Sequence, residues 1–218
     1  MACERELAAM LCAARSIRAT LAFVLVLAPL PCLADTHLAT VSYAHVLRAI
    51  NPKLHEDQSR VYASALLLDS RRMHLDPRLV MAVVTVESGW NARALSPDGA
   101  QGLGQFLPET ARELGVNSWS GRSNLRGITV YLHQLLGLFR SSRHAMSQAL
   151  ASYNVGPYTV KSNGGVPPRS AQRYVVKVMA AWHAFKARLS AQPTIAAVAV
   201  ALDATTVARD QAAYWGVR

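Results

Sequence analysis

At 218 residues the chain has room for one core domain with appendages, and a content of 51% hydrophobic and 17% charged residues excludes a disordered polyelectrolyte. Its formal charge of +10 is unevenly spread, since residues 114–202 contain ten Lys or Arg and no Asp or Glu. Such a surface suits an anionic polymer. Nucleic acid would satisfy the charge, but no nucleic-acid motif is recognisable and aromatics are only 7%, so a cell-envelope polyanion fits better.

In chain order, Arg5, Arg15 and Arg18 precede an apolar run at 21–28 and a Pro-containing stretch to Ala34. This is the pattern of a secretory signal peptide, residues 1–34, with an apolar run too short to span a bilayer. A start at Met10 would give a more ordinary signal length. Lipid attachment at Cys32 is disfavoured by Pro29 and Pro31. Cys3, Cys12 and Cys32 all fall within the signal, so the exported chain has no disulfide or thiolate chemistry and keeps 20 basic against 11 acidic residues. The expected location is the periplasm or cell envelope.

Residues 35–49 are expected as a linker, and Asn51-Pro52 as a turn. A helix is predicted over 54–73, with Val61, Ala65, Leu68 and Met73 facing inward. Asp76 and Pro77 then read as an N-cap and first helical residue. The apolar run 79–86 ends in Glu87, and Gly89 supplies the stop. A carboxyl leaving an apolar helix at its negative end should have a raised pKa.

Residues 90–107 form a loop rich in Gly and small residues, expected to line one wall of a groove. Pro108 opens a short helix through Leu114, with Glu109 favoured in its first turn. An apolar helix covers 131–139, a short one starts at 147–153, 158–168 reads as a Gly/Pro loop, and a closing helix spans 171–189. No alternating strand pattern of useful length appears. The domain is thus expected at 50–187, with 188–218 a tail of unreadable purpose.

The block Glu87-Ser88, then Ser96-Pro97-Asp98-Gly99-Ala100-Gln101-Gly102-Leu103-Gly104-Gln105-Phe106-Leu107-Pro108, resembles the signature of the goose-lysozyme-like lytic transglycosylases. Gly104 departs from the usual Met. The segment from Asn124 through Gly127 to Tyr131-Leu132, the run Ala151-Ser152-Tyr153-Asn154-Val155-Gly156 and the pair Tyr174-Val175 resemble further family segments, while Ser170 and Ala171 replace the usual Glu-Thr.

The resemblance implies a mainly α, lysozyme-like domain with a substrate groove. It implies Glu87 as the catalytic acid, and Ser96, Gln105, Leu107, Tyr153 and Asn154 as residues that bind glycan or orient the acid, with the Tyr153 hydroxyl close to Glu87. No metal or cofactor is expected, because the seven His residues show no metal spacing and no Cys partner.

Glycoside cleavage usually needs two carboxylates. With 114–202 free of acids, the second could come only from Asp98, Glu109, Glu113 or a residue before Glu87, and a one-carboxylate mechanism fits better. The resemblance implies that mechanism: Glu87 as acid and then base, cleaving the bond from N-acetylmuramic acid to N-acetylglucosamine with closure of a 1,6-anhydro ring. A hydrolytic muramidase and a non-catalytic peptidoglycan-binding or assembly factor are the alternatives. The expected partner is the peptidoglycan glycan strand, met by a monomer, with a secretion, conjugation or pilus apparatus as the setting.

Overall fold

The computed structural model describes residues 30–190, which form helices joined by loops, with no named strand. The signal peptide read at 1–34 and the tail read at 188–218 lie largely outside these residues. By contacts the chain divides into a unit of residues 40–192 and a second of 1–39 with 193–218. Of the second, only the opening of the first helix is described.

That helix, α1 (Leu30–Ile50), occupies the stretch expected as a linker. No Gly or Pro interrupts residues 33–50, and Tyr43, Ala44, Val46 and Leu47 make a buried stripe at helical spacing. Among the described residues no helix is long and apolar enough to cross a membrane.

In α2 (Glu56–Arg72), acidic Glu56 and Asp57 open the first turn and basic Arg71 and Arg72 close the last, in the order the helix dipole favours. Its buried face runs through Ser59, Tyr62, Ala63, Ala65, Leu66 and Ser70. Of the expected inward residues only Ala65 is buried, whereas Val61 and Leu68 are exposed. The core-facing stripe is displaced because Tyr62 turns inward against Trp90, their ring centroids 6.2 Å apart.

α3 (Pro77–Ser88) follows the sequence punctuation closely. The Asp76 side chain accepts from the Arg78 backbone N–H, Pro77 opens the first turn, and Gly89 ends the helix in the left-handed conformation. Its residues 79–84 are buried in one unbroken run, as a helix surrounded by others requires. After the loop come α4 (Pro108–Glu113), α5 (Gly121–Leu138), α6 (Ala145–Val155), α7 (Pro157–Ser162) and α8 (Arg169–Ser190). α7 overlaps the stretch read as a Gly/Pro loop at 158–168. Pro157 sits at its start, where a missing N–H costs nothing.

α2 packs on α5, α5 on α6, and α6 on both α7 and α8, while α3 lies against α8. The α3–α8 pair is pinned near both ends. Trp182 Nε1 donates to Asp76 Oδ2 at 2.9 Å, and Tyr174 Oη donates to Glu87 Oε1 at 2.6 Å. Because 76 pairs with 182 and 87 with 174, the two helices run antiparallel, and this pairing delivers a phenol from the far end of the chain to the last turn of α3.

Candidate active site

Glu87 lies one residue before the end of α3 and lines an open groove of about 490 Å³. The other wall is the loop 91–107, which several contacts hold in place. Ser88 Oγ donates to the Leu103 carbonyl at 2.8 Å, tying the loop to the helix that carries the acid. Asn124, fully buried on α5, accepts from the Gly104 N–H at 2.8 Å and donates to the Ser118 carbonyl at 2.9 Å. At Gly102 (φ +73°) an added Cβ would strike the Ser118 carbonyl and the Asn124 amide, so both backbone conformation and space require glycine there.

All six residues marked in the sequence, Glu87, Ser96, Gln105, Leu107, Tyr153 and Asn154, line this one groove. Ser96 Oγ accepts from the Ala100 N–H at 3.0 Å and so shapes a turn of the wall. Gln105 has a positive φ of 50°, and its amide nitrogen donates to the Ala94 and Gly102 carbonyls. Its amide oxygen has no protein hydrogen bond among the described residues. Leu107 and Asn154 are exposed on the rim.

Tyr153 sits in the groove, but its hydroxyl donates to the Gly104 carbonyl at 3.0 Å and not to Glu87. The phenol that touches the acid is Tyr174, buried on α8. Tyr174 belongs to the Tyr-Val pair noted in the sequence, but its place beside Glu87, 87 residues away, depends on α8 docking antiparallel to α3. The Met expected at 104 has no room in this packing, since a Cβ on Gly104 would meet Ile128 and, at 2.8 Å, the Tyr153 hydroxyl. The space beside Gly104 is therefore taken by Ile128 and Tyr153.

Burial raises the Glu87 pKa from 4.5 to about 7, and the Tyr174 hydrogen bond, which favours the ionised form, pulls it down by less than burial lifts it. Both phenols are held well above their ordinary range, chiefly by burial and then by the nearby Glu87 charge. They stay protonated and can act as donors. Glu87 Oε2 has no protein partner among the described residues, so one carboxyl oxygen is steered by Tyr174 while the other is free to meet a ligand. Asp98 is exposed on the same groove. Among the described residues no group of three His, Cys, Asp or Glu is spaced to hold a metal.

A mainly helical domain in which one enclosed carboxyl, poised near neutral pH, faces an open groove is a lysozyme-like architecture. The Transglycosylase SLT domain model matches residues 68–175 of the chain. A relative from Enterobacteria phage PRD1, named a transglycosylase, is 37% identical over 109 residues, covering 50% of this chain and 39% of its own. Membrane-bound lytic murein transglycosylase F of Photobacterium profundum is 32% identical over 127 residues, covering 55% and 23%. The chain therefore spans well under half the length of these relatives. Among solved structures, an inactive glutamate-to-glutamine mutant of the lytic transglycosylase Slt from Pseudomonas aeruginosa superposes with a TM-score of 0.52 at 22% identity, over 74% of this chain and 31% of that one, a likeness of fold.

Proposed function

We propose that this protein is a peptidoglycan lytic transglycosylase that cleaves the β-1,4 bond from N-acetylmuramic acid to N-acetylglucosamine without consuming water. The observation that carries this reading is Glu87: one carboxyl in an SLT-family groove, with a pKa of about 7 and a phenol fixing one of its oxygens.

Protonated Glu87 donates to the bridging oxygen as the C1–O bond breaks, and the leaving sugar departs with that proton. The muramoyl C1 gains oxocarbenium character, which the sugar's own N-acetyl group can relieve. Ionised Glu87 then takes the C6 hydroxyl proton while O6 bonds to C1, closing the 1,6-anhydro ring and restoring the acid. A pKa near neutrality serves both halves of this cycle. Tyr174 stabilises the carboxylate between them, and Tyr153 and Asn124 position the wall through Gly104. Ser96, Gln105, Leu107 and Asn154 contact the glycan.

Export by residues 1–34 would deliver a domain at 50–187 to the cell envelope, in keeping with relatives named membrane-bound and murein-directed. The setting we infer is local wall opening for an envelope-spanning apparatus.

The test is digestion of purified sacculi with mass spectrometry of the fragments. The expected products are anhydro-muropeptides, lost in Glu87→Gln. Undiminished digestion by that variant would remove Glu87 from the mechanism. Asp98 on the same groove favours a second reading, hydrolysis with Asp98 directing water. Products one water heavier, abolished in Asp98→Asn, would establish it.

A further inference from the structure

A second concavity, of about 600 Å³, lies where the end of α2 meets the first turns of α5 and the residues following α4, and it shares no lining residue with the groove. The turn of α5 at Gly127 stands between them, with the Phe106 ring packed behind it. Exposed Arg72, Arg122 and Arg126 line this cavity. Arg122 and Arg126 are four residues apart on α5, hence on one face at about 6 Å. Neither forms a hydrogen bond or ion pair with another described residue.

The cavity has one carboxylate, Asp69, which lies 3.8 Å from Arg72, so two cationic groups are left uncompensated. Ser123 Oγ accepts from the Asn117 N–H at 3.0 Å, leaving its own hydrogen to donate into the cavity. Between the guanidiniums the lining is apolar, from Leu68, Leu114, Val116 and Val130. Leu68 is 43% exposed there despite sitting on a well-packed helix.

We propose that this cavity binds the terminal carboxylate of a short peptide with small apolar side chains. Two guanidinium forks on one helix face match the two oxygens of a planar carboxylate. The apolar lining receives the alkyl group on the adjoining carbon, which a bare inorganic anion lacks. The volume is that of an ordinary small-ligand site. The inference is independent of whether Glu87 acts as a lyase.

The experiment titrates the full chain with N-acetyl-alanyl-alanine, with its C-terminal amide, and with inorganic phosphate, following the Gly115 and Gly127 amide signals by NMR. The free acid is expected to bind, with the amide and phosphate each weaker by at least about tenfold. Arg122→Gln with Arg126→Gln should weaken the acid by at least about tenfold at an unchanged melting temperature, and Glu87→Gln should leave it unaltered. Arg126→Lys, which keeps the charge and loses the fork, should fall between. Equal binding of acid and amide, equal binding of phosphate, or an undiminished double variant would overturn the proposal.

Discussion

Glu87 keeps its proton to about pH 7 because enclosure raises its pKa by more than the Tyr174 hydroxyl lowers it. Two expectations follow. Since the folded-state value exceeds the ordinary 4.5, the group's contribution to stability is full below about pH 4.5 and is lost as pH rises through about 7. That loss amounts to up to about 3 kcal/mol. Glu87→Gln should therefore match the parent in thermal melts at acid pH and exceed it by up to roughly 6–12 °C at pH above 8. Activity, which needs the protonated acid first, should decline over the same interval. Tyr174→Phe removes the donor that lowers the pKa, so the alkaline limb of the pH–rate profile should move upward. Its maximum rate should drop about tenfold, the worth of a hydrogen bond to a charged group. A profile unmoved by this variant would show that the phenol does not govern the acid.

At the scale of elements, the groove wall depends on α5. Gly104 is packed against Ile128 and the Tyr153 hydroxyl, so Gly104→Met, which installs the family's usual residue, should destabilise by about 1–3 kcal/mol. Adding Ile128→Ala should recover part of this loss, measurable by denaturant unfolding. The same contacts mark the limits of sequence reading. Asp76, Pro77 and Gly89 announce α3 because capping and left-handed turns are local chemistry. α1 was hidden because its buried stripe is short, and only its end is marked, by Asn51-Pro52. α7 was hidden by the Gly and Pro residues around it. The gathering of Ser96, Gln105, Tyr153 and Asn154 beside Glu87 was anticipated through a motif and not through residue chemistry, since each alone reads as an ordinary turn or surface residue. Tyr174 escaped as a partner of Glu87 because nothing along the chain encodes which of two phenols the docked helix will bring to the acid.

For the whole molecule, the acid-free stretch 114–202 makes association with an anionic wall a matter of long-range charge. The fraction pelleting with insoluble peptidoglycan should fall several-fold as salt rises from about 0.01 M to about 0.1 M, where the screening length shrinks from about 30 Å to about 10 Å. Retention independent of salt would place recognition in the neutral sugar contacts alone. The antiparallel pair of α3 and α8 has a mechanical consequence of its own. Two fastenings about 16 Å apart along α3 oppose both sliding and swivelling, since sliding strains both bonds and swivelling about either one breaks the other. The aim of the carboxyl is thus held at arm's length, by a tryptophan that does not line the groove.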